Sequence, residues 1–206
     1  MAVPYHLVIA SKNRGKVGEI RAMLAGLPLE ILSLSDYPEA PAVVEDGDSF
    51  LANALKKARS LAAYTGKTVL ADDSGLEVDR LNGAPGIYSS RYAGEDATDD
   101  ENNRKLLAEM RGVPPAGRDA AFRCVLVLYR PDGTYEEFTG RWPGQIGETL
   151  RGGHGFGYDP LFYVPVLGKT VAELTPEEKN LASHRSQAVL ALKRYLQDHV
   201  FPEIRR

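Results

Sequence analysis

Cysteine is nearly absent. The single cysteine in 206 residues, Cys124, excludes an intrachain disulfide, and its place in the apolar run from Phe122 to Tyr129 reads as a small core residue. No Cys/His set stands at zinc-binding spacing. Long apolar runs are missing too. The stretch "MAVPYHLVIAS" is too short in its apolar part to span a membrane, and it lacks the basic region and long hydrophobic segment of a secretory leader. Basic excess is also missing: the formal net charge is -3, against the positive footprint of a nucleic-acid binder. The chain carries no internal repeat, low-complexity tract or linker. A cytoplasmic protein bound to neither membrane nor nucleic acid is expected. With 43% hydrophobic and 26% charged residues the composition is that of a folded globular chain, long enough to bury a substantial core.

What is present is a regular alternation of elements. "YHLVIA" (5–10) predicts a buried first strand. Val17, Ile20, Leu24 and Leu27 then recur at helical spacing up to Gly26-Pro28, and "LEILSL" (29–34) alternates like a second strand. Strand, helix, strand implies a parallel pair with a crossover helix. Asp48 or Ser49 is placed to cap a second helix that ends at Gly66, and "TVLA" (68–71) predicts a further strand. "GAPGIYSSRYAG" (83–94) reads as irregular, and Thr98 with Glu101 as a capping box. Two β-rich arms flank Pro131-Asp132-Gly133, a turn signal. Thr175-Pro176-Glu177-Glu178 opens a short helix, and a last helix starts near Ser183. The expected fold is α/β with a mixed sheet, as a single domain over 1–206 or two lobes around a cleft.

Two adjacent carboxylates pose the chemical question. In "VLADDSGLEVD" an apolar strand is expected to end at Asp72-Asp73, with Ser74-Gly75 as a tight polar turn. Unpaired, the two acids would resist ionising together, so a proton or a cation is called for. Glu45 and Asp46 lie in an acidic loop, and the four carboxylates suit Mg²⁺, a hard cation that is often shared with substrate phosphates. "SKNRGK", Ser11 to Lys16, follows a strand and opens a helix. Free N–H groups and the helix dipole favour an anion there, although the P-loop pattern is absent. Lys57 lies on the helix after the acidic loop, where most lysines are solvated. "GHGFGYDP" suits a loop closely approached by a ligand, with Phe156 or Tyr158 as a stacking face. His184 and Arg185, in the first turn of the last helix, oppose its dipole, so they and Lys179 suit an anionic or carbonyl-bearing partner. No Ser-His-Asp assignment follows from residue order.

Taken jointly, "SKNRGK", "DDSGLEVDRLNGAPGIYSSRYAG", "FGYDPLF" and "LTPEEKNLASHRSQA" resemble the inosine triphosphate pyrophosphatase family, the dITP/XTP pyrophosphatases, in order and spacing from Val8 to about Leu192. The resemblance implies an elongated mixed β-sheet flanked by helices with a central substrate cleft, a homodimer, and a need for Mg²⁺. It implies hydrolysis of non-standard purine nucleoside triphosphates (ITP, dITP, XTP) to monophosphate and pyrophosphate, which cleanses the nucleotide pool. Other modified nucleotides, pyrimidines included, are the alternative. By motif match, Ser11, Lys12, Asn13, Arg14, Gly15 and Lys16 would hold the phosphates. Asp73 would be the metal-bound general base, with Lys57 near the triphosphate and Ser74 on the substrate. Glu45, with Asp72 close by, would help to bind the metal. Phe156, Gly157, Tyr158, Asp159, Lys179, His184 and Arg185 would form the nucleotide and base site. There Arg185, backbone N–H groups and Lys179 would donate to the C6 oxygen of hypoxanthine or xanthine, where adenine presents a donor instead. Two departures stand out: Lys12, where many members have glycine, and "VVEDGDSF", where two glutamates and a threonine are frequent.

Overall fold

The structure is a computed structural model and describes residues 5–205. The first four residues of the N-terminal stretch considered above lie outside the described residues. Among the described residues, seven strands form one open mixed sheet: β1 (Tyr5–Ile9), β2 (Leu29–Ser33), β3 (Thr68–Val78), β4 (Asp119–Tyr129), β5 (Tyr135–Ile146), β6 (Phe162–Val164) and β7 (Lys169–Thr170), in the order β2-β1-β3-β4-β5-β6-β7. β1 is parallel to both β2 and β3, while β6 is antiparallel to β5 and β7. Among the described residues, five α-helices flank it: α1 (Arg14–Leu24), α2 (Phe50–Thr65), α3 (Asp99–Glu109), α4 (Pro176–Ala182) and α5 (His184–His199). The predicted caps hold. Ser49 accepts from Ala52 at the start of α2, and Thr98–Glu101 and Thr175–Glu178 each close a capping box. The stretch expected to be irregular contains a short 3₁₀ helix, Gly86–Arg91.

The chain divides into two compact units, each with its own core. Among the described residues, the first comprises 5–73, Cys124–Gly140 and 185–205. Its β1 is covered on both faces, which is why it reads as an unbroken apolar run. Leu7 and Ile9 pack with Val17, Ile20 and Leu24 of α1 and with Val189, Leu192 and Leu196 of α5. Val8 and Ala10 pack with Ala54, Ala58 and Leu61 of α2. Each such Leu or Ile contributes about 1.5–3 kcal/mol of burial free energy, less the ordering cost.

The second unit comprises Ser74–Arg123 and Arg141–His184. Its core joins Leu76 and Val78 of β3 to Leu106 and Met110 of α3, and to Phe122, Trp142 and Phe162. Arg118 is buried in it and donates to the carbonyls of Ile146, Met110, Val113 and Gly147, so its charge is dispersed over backbone dipoles.

One expectation is corrected here. β3 does not end at Ala71, and Ser74-Gly75 is not a tight turn. The strand runs unbroken through Asp72, Asp73, Ser74 and Gly75 to Val78. Both carboxylates are buried within it. A strand can hold charges only where partners neutralise them, and those partners build the site.

Candidate active site

In the first unit, Ser11 to Asn13 lie between β1 and α1, and Arg14 to Lys16 form the first turn of α1. Asn13 is the N-cap: its side chain accepts from the Lys16 N–H at 3.0 Å, and its own N–H donates to the Ser11 hydroxyl at 3.1 Å. The cap fixes the loop that precedes the first helical turn. Lys12, Asn13 and Arg14 are exposed, while Ser11, Gly15 and Lys16 are half-buried. The Lys16 ammonium donates to Asp72 Oδ1 at 2.5 Å.

The acids of this unit separate into two groups. Lys57 Nζ lies 3.0 Å from Glu45 Oε2 and 2.7 Å from Asp73 Oδ1, and it also donates to the Asp72 carbonyl at 3.0 Å. Two carboxylates therefore converge on one cation. Burial pushes the Asp73 carboxyl up to about 6, against the pull of Lys57. Burial disfavours the Lys57 ammonium, but the Asp73 and Glu45 charges outweigh it and raise the lysine's pKa. For Glu45 burial is outweighed by Lys57, and its pKa falls. Asp46 is exposed and pairs instead with Lys56.

Asp72 belongs to a different network. Its side chain is 0% exposed. Oδ1 takes Lys16, while Oδ2 takes Arg185 Nε at 2.8 Å and the Cys124 thiol at 3.6 Å. Burial works against its ionised form, but Arg185 and Lys16 overcome this and hold its pKa well below the carboxylate range. The sequence reading groups Asp72 with the metal residues; the structure commits both its oxygens to protein cations. It likewise groups Arg185 with the base-contacting residues. In the structure its buried guanidinium meets Asp72 and, at 2.6 Å, Glu19 on α1.

In the second unit, Phe156 to Asp159 form a compact segment. Asp159 Oδ2 accepts from the Phe156 N–H at 3.0 Å and from Lys179 Nζ at 2.7 Å. The Lys179 ammonium lies 4.6 Å from the centre of the Phe156 ring, a cation–π contact. The Tyr158 hydroxyl donates to the Ser89 carbonyl at 2.9 Å. His184 is buried and stacks on Phe122, with ring centres 4.8 Å apart. Ser74 is half-buried on β3.

Glu19 and Cys124 complete the Asp72 network, and sequence reasoning did not give them that place. Glu19 had one signal, its position three residues after Lys16 on the same helix face. Cys124 had none beyond its apolar setting.

An open mixed sheet that presents basic residues at a helix start and a carboxylate pair around a half-buried lysine suits a hydrolase of the phosphate-anhydride type. The chain belongs to the Ham1 family, whose model matches residues 7–195. It is 53% identical over 190 residues to the dITP/XTP pyrophosphatase of Geobacter sulfurreducens, covering 92% of this chain and 96% of that one. It is 50% identical over 194 residues to that of Yersinia pestis, covering 93% and 98%. Among solved structures it is similar to a HAM1 protein from Coxiella burnetii, with a TM-score of 0.86 and 41% identity over 94% of this chain and 99% of that one. The Staphylococcus aureus Ham1 protein gives a TM-score of 0.84 and 41% identity over 94% and 98%.

Proposed function

We propose that this protein hydrolyses dITP, ITP and XTP to the nucleoside monophosphate and pyrophosphate. The observation that carries the reading is the convergence of Glu45 and Asp73 on one cation, Lys57, in the unit that also holds the Ser11–Lys16 loop. The names borne by the relatives supply the substrates, and they give no support to the pyrimidine alternative.

The donor set fits Mg²⁺. Among the described residues no three His, Cys, Asp or Glu side chains gather as a metal site. Mg²⁺, however, needs only one or two carboxylates when substrate phosphates and water complete its shell. Glu45 and Asp73 would hold it. Asp72 would not, because its oxygens are spent on Lys16 and Arg185. When bound, Mg²⁺ neutralises charge on the triphosphate oxygens.

The chain's own groups account for the rest. Asp73 takes a proton from water as the water oxygen bonds to the α-phosphorus. The bond from that phosphorus to the bridging oxygen breaks, and pyrophosphate leaves. Lys57 and Lys16 offset the charge gathering on the leaving group, while the N–H groups at the start of α1, with Ser11 to Gly15, hold phosphate oxygens. Ser74 contacts the substrate. Phe156, Gly157, Tyr158, Asp159, Lys179 and His184 take the base: Phe156 offers a flat face, and Lys179 donates to the C6 oxygen. Adenine would set an amino donor against that donor, a mismatch that can cost orders of magnitude in rate. Arg185 acts through Asp72. Homodimerisation, implied by the resemblance, and a cytoplasmic location, expected from the sequence, complete the proposal; no helix among the described residues is long and apolar enough to cross a membrane.

A panel of ITP, XTP, dITP, ATP, GTP and UTP, with and without Mg²⁺ and assayed for pyrophosphate, tests the reading. Pyrophosphate is expected from the first three with Mg²⁺ present. Orthophosphate as sole primary product, or equal rates on GTP and ITP, would overturn it.

A further inference from the structure

Gly157 is held unusually firmly. It has a φ of +62°, and glycine there would ordinarily be the freest point of its loop. Yet its N–H donates to Asp99 Oδ2 at 2.7 Å, and its carbonyl accepts from Asn103 Nδ2 at 2.8 Å. That N–H belongs to the peptide plane shared with Phe156, and that carbonyl to the plane shared with Tyr158. Both planes about the Gly157 Cα are thus pinned, and with them the directions in which the Phe156 and Tyr158 side chains leave the backbone.

Both pins come from one face of one helix. Asp99 opens α3 and Asn103 follows four residues later, the spacing that stacks side chains on a helix. The neighbouring Asn102 anchors the helix to another segment, accepting from the Ala93 N–H at 2.8 Å and donating to the Ser90 carbonyl at 3.1 Å. Asn103 is 2% exposed, and its Oδ1 is buried with no partner among the described residues. A leucine would fill the same space without that unmet acceptor, whose burial is costly. The amide's contribution at this place is its bond to Gly157.

We propose that Asn103, seconded by Asp99, is the positioning residue for the base-contacting segment Phe156–Asp159 and sets affinity for the nucleobase. The inference rests on the reading of that segment given above. α3 holds the segment, and neither residue touches the substrate.

Steady-state kinetics of the full chain on ITP with Mg²⁺ test it, with inhibition by pyrophosphate as a measure of the phosphate end alone. Asn103→Leu should raise KM about tenfold, the loss of one buried hydrogen bond's worth of ordering, with a smaller change in kcat and an unchanged pyrophosphate inhibition constant. Asp99→Ala, at an exposed position where folding is safe, should raise KM about threefold, and Asp99→Asn, which keeps an accepting oxygen, should restore it. Should Asn103→Leu fail to fold, the Asp99 pair decides alone. An unchanged KM in these variants, with Phe156→Ala raising it, would overturn the inference and leave the base reading standing. KM and the pyrophosphate constant rising together would overturn it as general loosening. An unchanged KM in Phe156→Ala would remove the base reading and the inference with it.

Discussion

Asp72 and Asp73 are consecutive on β3, and their electrostatics are opposite. Asp72, gripped by Arg185 and Lys16, is held well below the carboxylate range, whereas burial lifts Asp73 to about 6. Alternation along a strand sends successive side chains to opposite faces. Lys16 of α1 and Arg185 of α5 meet the first, and Lys57 of α2 meets the second. The first acid is held in its ionised form by two cations, whereas burial makes the second easier to protonate.

Asp72 therefore belongs to stability as well as to the site. Asp72→Asn would take from Arg185, itself 1% exposed, one of its two carboxylate partners in the buried network and leave it Glu19 alone of the pair. Breaking such a pair costs roughly 3–5 kcal/mol, or about 10 °C in melting temperature for a chain of this size. The sign with pH follows from the lowered folded pKa: the carboxylate's contribution is present above its unfolded value and is lost as pH falls through the depressed one. Thermal melts of wild type and Asp72→Asn should converge in strong acid and differ most near neutrality. A constant difference across that range would refute the ion-pair account.

Asp73→Asn should abolish pyrophosphate release while preserving the fold. In wild type, kcat/KM should fall in acid with an apparent pKa at or below about 6, lower when Mg²⁺ is bound, because the base must be ionised. Stability runs the other way. A carboxyl whose folded pKa is raised contributes most when protonated, and that contribution is lost as pH rises from its unfolded value through about 6. The melting temperature of Asp73→Asn should thus gain on wild type as pH rises through this window. A flat difference would show that burial does not set the Asp73 pKa.

Lys57 is the cation between Glu45 and Asp73 in this structure. Lys57→Met should leave the two acids facing each other, lower the melting temperature at pH 8 without metal, and make the protein gain more from added Mg²⁺ than wild type does. Calorimetry with and without Mg²⁺ checks this. Equal metal-dependent shifts in the two proteins would mean that Lys57 does not stand in for the cation.

The sequence made some of this legible. The apolar run of β1, the helical spacing of Val17, Ile20 and Leu24, and the two threonine capping boxes all announce themselves locally. The acids and the basic residues at the start of α1 stand out locally too, as candidates for chemistry. The course of β3 did not, because a strand carrying Asp72 and Asp73 is stable only through Lys16, Lys57 and Arg185, which lie 56, 16 and 113 residues away. The places of Arg185 and Glu19 were hidden for the same reason. A basic residue opposing its own helix dipole looks made for a ligand, and its pairing with Asp72 and Glu19 is seen only in the fold.

Gly155 offers a test in the second unit that touches no titrating group of the first. Its φ is +81°, and a Cβ there would overlap the Asp159 carboxylate. That carboxylate joins the Phe156 N–H to the Lys179 ammonium. Gly155→Ala thus brings left-handed strain of about 1–2 kcal/mol and displaces Asp159, so Phe156 and Lys179 lose their shared partner. The melting temperature should drop by a few degrees, and KM for ITP should rise about tenfold or more. Asp159→Asn, which keeps an accepting oxygen but removes the charge beside Lys179, should give a smaller KM increase without the backbone strain. If Gly155→Ala binds ITP as wild type does, the Asp159 bridge does not order the base-contacting segment.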